Sequence, residues 1–220
     1  MKKEKSFTVE EYSYGQMRKL LSVALNGPLP GWEAHRQMAS VPRRREWAFL
    51  SPPADAVKSA VLILFYPDAN QWFFPLIVRP EYPGVHSRQV ALPGGRSETQ
   101  DLSDARTALR EAEEEIGAES ENIEIVGELS EIYIPPSNYR VKPVVGITTF
   151  RHNFVPDPAE VDEILEANLN ILFDPDRVTT KVINTRYASI EAPGWLLNGR
   201  FIWGATAMIL SELAWILRGN

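Results

Sequence analysis

The stretch Leu92–Ala118, LPGGRSETQDLSDARTALREAEEEIGA, decides how the rest of the chain is read. A Pro-Gly-Gly turn leads through a short polar loop into a segment where Ala105, Leu109, Ala112 and Ile116 recur at helical spacing. At about 100° per residue these four fall within an arc of roughly 60°, which predicts an amphipathic helix. Asp101 or Ser103 is placed to cap its N-terminus, and Gly117 stands where a left-handed residue would end it. The carboxylates are unevenly spread: Glu111, Glu114 and Glu115 share one face, and Glu113 points away. A helix C-terminus carries partial negative charge and favours cations, and like charges at i,i+3 and i,i+4 repel. A bound divalent cation would relieve both costs, and oxygen ligands without Cys or His favour a hard ion, Mg²⁺ or Mn²⁺. A solvated acidic face is the alternative reading of any Glu-rich helix.

Upstream, Val57–Tyr66 reads as a buried strand, Pro67-Asp68-Ala69-Asn70 as a turn and Trp72–Arg79 as its hairpin partner, with Pro75 marking an edge or a bulge. Residues 10–25 predict a helix with Met17, Leu20, Leu21 and Ala24 as its buried stripe, stopped by Asn26-Gly27-Pro28. Leu29–Arg45 follows; its Arg43-Arg44-Arg45 end is either an anion site or, more commonly, a solvated run. Downstream, Ile123–Ile134 and Val141–Phe150 are strand candidates around a Pro135-Pro136-Ser137-Asn138 loop. Ala159–Glu166 is acidic and read as helical. Val182–Trp203 reads as short strands around turns at Ala192-Pro193-Gly194 and Leu197-Asn198-Gly199. Ala205–Leu217 is an apolar closing helix, too short to span a bilayer and therefore core. Strands on both sides of the motif helix, with a second long helix at the end, imply an α/β fold: a mixed sheet covered on both faces.

With 220 residues the chain is large enough for one domain with a sizeable core. It divides into an N-terminal helical extension, residues 1–50, packed on a main domain, residues 51–220. A net charge of −6 gives no reason to expect nucleic acid or a membrane as partner. The absence of Cys removes disulfides, thiolate zinc sites and cysteine nucleophiles. MKKEKSFTVEEY has no apolar run after its lysines and is not a signal peptide, so a cytoplasmic location is expected.

Gly94-Gly95, Asp101 and Arg110-Glu111-Ala112-Glu113-Glu114-Glu115-Ile116-Gly117 together resemble the signature of the Nudix hydrolases. The second half of that signature is matched at every specified position. In the first half Asp101 stands where Glu is usual, and eight residues rather than seven separate it from Arg110. The resemblance implies an α/β/α sandwich with a loop-helix-loop metal site. LIVRPEYPGVHSRQVALPGG, Leu76–Gly95, is further similar to the segment before this motif in coenzyme A pyrophosphatases: Arg79, His86, Gln89 and Pro93-Gly94-Gly95 match, while Arg88 replaces Gly and Leu92 replaces Phe.

Cleavage of a diphosphate link needs metal ions to neutralise its oxygens and lower the pKa of the attacking water. The resemblance implies Glu111, Glu114 and Glu115 as metal ligands, with a further Glu, Glu160 or Glu163, as general base. Gly94 and Gly95 can bring backbone close to a phosphate or metal. Arg110 is read as a loop brace, and Asp101 as a cap or brace rather than a ligand. Arg79 and Arg88 are candidate phosphate or nucleotide contacts, although Arg79 equally suits a salt-bridged strand end. His86 is read as structural; Tyr133 and Tyr139 either stack on adenine or pack in the core. Three readings stay open: hydrolysis of coenzyme A or its acyl derivatives; the same chemistry on ADP-ribose, NADH or a dinucleoside polyphosphate; or a non-catalytic nucleotide-sensing module. A homodimer also stays open, since such assemblies are common in the family.

Overall fold

The computed structural model describes residues 11–41, 51–83, 86–184 and 189–219. The Arg43–Arg45 run lies outside them. The central strand is β1 (Val57–Asp68), whose near-continuous apolar run lets both faces be buried. Ala60, Leu62 and Leu64 point to one side, and Ile63 and Phe65 to the other, so strand alternation splits the core in two.

Seven strands join β1 in an eight-stranded mixed sheet: β2 (Gln71–Val78), β3 (Val90–Ala91), β4 (Gly94–Arg96), β5 (Glu124–Glu128), β6 (Ile132–Ile134), β7 (Tyr139–Ile147) and β8 (Glu163–Asn168), with the path β3-β2-β1-β7-β5. β7 runs parallel to β1 over Val57–Phe65, while β4 is antiparallel to the start of β1. The β1–β2 hairpin closes on Ala69 and Asn70, both at positive φ (45° and 64°) as a two-residue hairpin turn demands. That ladder covers only Gln71–Phe73; Pro75 lies beyond its end, where β2 is paired with β8 instead.

Helix α1 (Tyr14–Asn26) is closed by a Ser13/Gln16 capping box and buries Met17, Leu21 and Leu25. It packs along β5, while the short α2 (Trp32–His35) packs on the closing helix. A fully buried Glu212 fastens this N-terminal segment: it accepts from Gly31 N (2.9 Å), Ser130 N (3.0 Å) and faces His35 Nε2 (3.1 Å). The motif helix, α3 (Asp104–Ile116), covers one face of the sheet through Ala108, Leu109, Ala112 and Ile116 against Leu62, Leu64 and Val144. The closing helix, α4 (Gly204–Leu217), covers the other face with α1. Among the described residues no helix is long and apolar enough to cross a membrane.

Two expectations fail. Ala159–Glu166 is not a helix: residues 157–161 form a turn, and Glu163–Asn168 is strand β8. β2 would otherwise present an open edge from Phe73 to Val78, and pairing with that edge outweighs local helical preference. Nor does Ala192-Pro193-Gly194 form a turn. It runs through β10 (Ser189–Leu197), the middle strand between β9 (Val178–Asn184) and β11 (Arg200–Trp203) in a second sheet. Gly194 is there for close approach, since a Cβ would overlap the Ile202 carbonyl oxygen and press on the Phe201 ring at 2.9 Å. The Asn198-Gly199 turn forms as expected, with φ of 48° and 80°.

Gly194→Ala is therefore expected to lower unfolding stability by about 1–3 kcal/mol through overpacking. Urea denaturation of the two proteins measures this, and equal midpoints would contradict the packing described.

Candidate functional site

The site is assembled at the C-terminal end of α3. Ser103 caps the helix N-terminus through a bond from Arg106 N (3.2 Å), leaving Asp101 free to brace the loop. Asp101 accepts from Thr107 Oγ1 (3.0 Å) and Arg110 Nη2 (3.0 Å), and the Arg110 guanidinium holds its carboxyl down to about 2. Arg110 also reaches the Arg96 carbonyl (3.0 Å), Glu111 (2.9 Å) and Glu114 (2.8 Å), so one guanidinium ties the loop to the helix. At the other end, Gly117 is left-handed (φ 66°, ψ 26°) and its N–H returns to the Glu113 carbonyl at 3.0 Å.

Gly94 and Gly95 bring β4 against β1 and against the helix. A Cβ at Gly94 would overlap the Ala60 carbonyl and stand 2.6 Å from Val61 Cα; one at Gly95 would overlap the Glu111 carboxylate. With no side chain in the way, Gly94 N donates to Glu115 Oε2 at 2.7 Å. The other oxygen, Oε1, is buried without a hydrogen-bond partner. The Arg79 guanidinium stands 3.7 Å from Oε1, beyond hydrogen-bonding reach, and donates instead to the Gly94 carbonyl at 3.0 Å. Glu115 is only 1% exposed, and burial pushes its carboxyl up to about 7 despite Arg79 and Gly94 N. Burial likewise raises Glu111.

Glu111, Glu115 and Glu160 each offer one oxygen, and these atoms lie within 4.8 Å of one another. Glu111 and Glu115 are buried; Glu160 is exposed and closes the cluster from the turn before β8. The donor set, three carboxylates without nitrogen or sulfur, suits a hard divalent cation, and the unpartnered Glu115 Oε1 is an oxygen left for one.

Of the residues expected from the motif, Glu111 and Glu115 are in this cluster with Gly94, Gly95 and Arg79 around them. Glu114 stands outside it: its side chain is 59% exposed and drawn to Arg110 one turn back. Between the two candidate bases, Glu160 joins the site and Glu163 is held by Arg200 at 2.5 Å. Arg79 takes the salt-bridged position, facing Glu115. Arg88 points to solvent and pairs with Glu81 at 2.9 Å, with its backbone left-handed at φ 57°. A position of that kind favours glycine over any residue with a side chain. His86 Nδ1 lies 3.1 Å from Gln89 Oε1, a structural contact, and burial lowers its pKa. Tyr133 OH donates to Asn138 Oδ1 (3.0 Å), and Tyr139 packs against the larger core cluster. Sequence reasoning missed the Arg79–Glu115 pair, for which only the adjacency of Arg79 to a strand end gave a signal.

The NUDIX domain model matches residues 57–191. A protein of Pectobacterium atrosepticum named "Uncharacterized Nudix hydrolase NudL" is 35% identical over 133 residues, 59% of this chain and 67% of that protein. Two Arabidopsis thaliana proteins, "Nudix hydrolase 22, chloroplastic" and "Nudix hydrolase 15, mitochondrial", are 36% and 38% identical over 73% and 71% of this chain. The match spans little more than half the length of each plant protein, 55% and 57%. Among solved structures, a MutT/nudix family protein from Enterococcus faecalis is 21% identical, covering 85% of this chain and 70% of that one, at a TM-score of 0.46.

Two outcomes follow from the site. In cation-free protein the native state keeps a proton on Glu115 between about pH 4.5, the ordinary glutamate value, and about pH 7. Folding stability should therefore fall as pH rises through that window and level off above it. Glu115→Gln should remove this fall; chelator-treated protein unfolded in urea at pH 5 and pH 8 tests it, and an unchanged slope would refute the buried carboxylate as its source. Arg88→Gly should raise stability by about 1 kcal/mol or leave it level, because a left-handed side chain is exchanged for glycine. A loss of more than 1 kcal/mol would contradict the surface placement of Arg88.

Proposed function

The chain belongs to the Nudix family, and on that premise we propose that it is a divalent-cation-dependent pyrophosphohydrolase acting on coenzyme A or its acyl derivatives. The single observation that carries the metal dependence is the buried Glu115 Oε1, unpartnered and grouped with Glu111 and Glu160 oxygens. Glu111, Glu115 and Glu160 would hold the cation, Mg²⁺ or Mn²⁺. When bound, such an ion neutralises diphosphate oxygens and acidifies the attacking water.

The chain's own residues supply the rest. Gly94 N holds the Glu115 carboxylate by its other oxygen, with the Arg79 charge nearby, so its free oxygen is aimed before any ligand arrives. Arg110 clamps the loop from Arg96 to Asp101 on the helix and draws Glu114 away from the cluster. Glu160, the exposed member, would receive the proton of a water entering from solvent on the carboxylate oxygen that does not hold the cation. Attack on the diphosphate of coenzyme A yields 3′,5′-ADP and 4′-phosphopantetheine.

Support for coenzyme A over other nucleoside diphosphate derivatives comes from the run Arg79, His86, Gln89 and Pro93-Gly94-Gly95. The Arg88 departure from that run is accommodated at the surface by its pairing with Glu81.

Product analysis with Mg²⁺ or Mn²⁺ tests the proposal, with coenzyme A, ADP-ribose, NADH and a diadenosine polyphosphate offered separately. Coenzyme A should give 3′,5′-ADP fastest, and Glu115→Gln and Glu111→Gln should each lower kcat by about 10²-fold or more. Faster cleavage of another substrate would reassign the pocket and keep the metal chemistry. Tight nucleotide binding without turnover of any of the four would replace the enzyme with a sensing module.

A further inference from the structure

The exposed carboxylate of the site, Glu160, comes from a turn remote in sequence from α3, and the structure shows how it is brought there. The last carbonyls of a helix have no intrahelical donor. In α3 two of them are taken by the incoming chain: Val155 N donates to Ile116 O (3.0 Å) and Asp157 N donates to Glu115 O (2.9 Å). The Glu160 turn thus hangs from the backbone of the residue whose side chain forms the buried half of the site. Asp157 then folds the turn. Its carbonyl accepts from Glu160 N (3.0 Å) and Val161 N (2.8 Å), and its Oδ1 accepts from Ala159 N (2.9 Å). Pro156 and Pro158 flank it and restrict the backbone on either side. Beyond the turn, Asp162 N donates to Val78 O (2.9 Å), so the segment is anchored on β2 as well.

We infer that Asp157 is a positioning residue: its side-chain cap on Ala159 sets the turn that holds Glu160 against Glu111 and Glu115. The inference rests on the cation reading of that cluster. Asp157 itself touches no reacting group; it acts through Glu160.

Mn²⁺ binding to the full chain, measured by isothermal titration, tests this apart from catalysis. Glu160→Gln, which removes a ligand charge, should weaken binding by about tenfold or more, and Asp157→Ala by about tenfold, the loss expected when a support behind a ligand is removed. The double variant should bind no more weakly than Glu160→Gln alone. Asp157→Asn keeps the acceptor and should bind as wild type. Asp157→Gln moves the acceptor out by one methylene and should repeat the tenfold loss, which covers the case that Asp157→Ala does not fold. Wild-type affinity in Asp157→Gln, additive losses in the double variant, or a loss in Asp157→Asn equal to that in Asp157→Gln would each overturn the inference. If Glu160→Gln weakens binding and the Asp157 variants do not, only the positioning role falls. If the wild-type chain binds no Mn²⁺, the cation reading falls with it.

Discussion

A carboxylate buried at the wrong end of a helix is the constraint on which the rest of this molecule depends. Glu115 sits in the last turn of α3, where the helix dipole disfavours negative charge and no basic residue of that turn answers it. Removing an ion from water carries a penalty of several kcal/mol unless partners are found. One partner is Gly94 N, which reaches Oε2 only because residues 94 and 95 lack side chains. Another is the Arg79 charge, close to Oε1 but not bonded to it. What remains is an oxygen with no hydrogen-bond partner in the protein alone. A fold that keeps such an atom in place favours the ligand that completes it.

The scaffold makes that placement rigid. Alternation along β1 gives α3 its own apolar surface, separate from the one that α1 and α4 share. β4 is pinned to β1 through Gly94 and Gly95, so the loop that donates to Glu115 belongs to the sheet rather than to a free segment. Arg110 then ties Arg96 and Asp101 to the helix from outside. Only Glu160 arrives by a turn, and that turn is hung from the helix end and from β2. Two buried carboxylates on regular structure and one exposed carboxylate on a turn make up the cluster.

Features written in local spacing were legible before the structure. The helix from Asp104 to Ile116, its Gly117 stop, the β1–β2 hairpin and the shared face of Glu111 and Glu115 all follow from periodicity and turn residues. What was not legible depends on partners distant in sequence. Glu163–Asn168 has helix-compatible composition, yet the open edge of β2 makes it a strand. Pro193-Gly194 looks like a turn, but Gly194 serves the close crossing of Ile202 and Phe201. Spacing also placed Glu114 with Glu111 and Glu115; an Arg at i−4 competes for it, and side-chain pairing is not fixed by helical angle. Glu160 could be named only by resemblance, because nothing near it in the chain shows what it will face.

The central claim is that Glu111, Glu115 and Glu160 together form a divalent-cation site. Anomalous diffraction at the manganese edge from crystals equilibrated with Mn²⁺ tests it most directly. The account predicts a peak at about 2.0–2.3 Å from one oxygen of each of the three carboxylates, Glu115 Oε1 among them. A peak held by Glu114 and Asp101 instead, or none near Glu115, would contradict it.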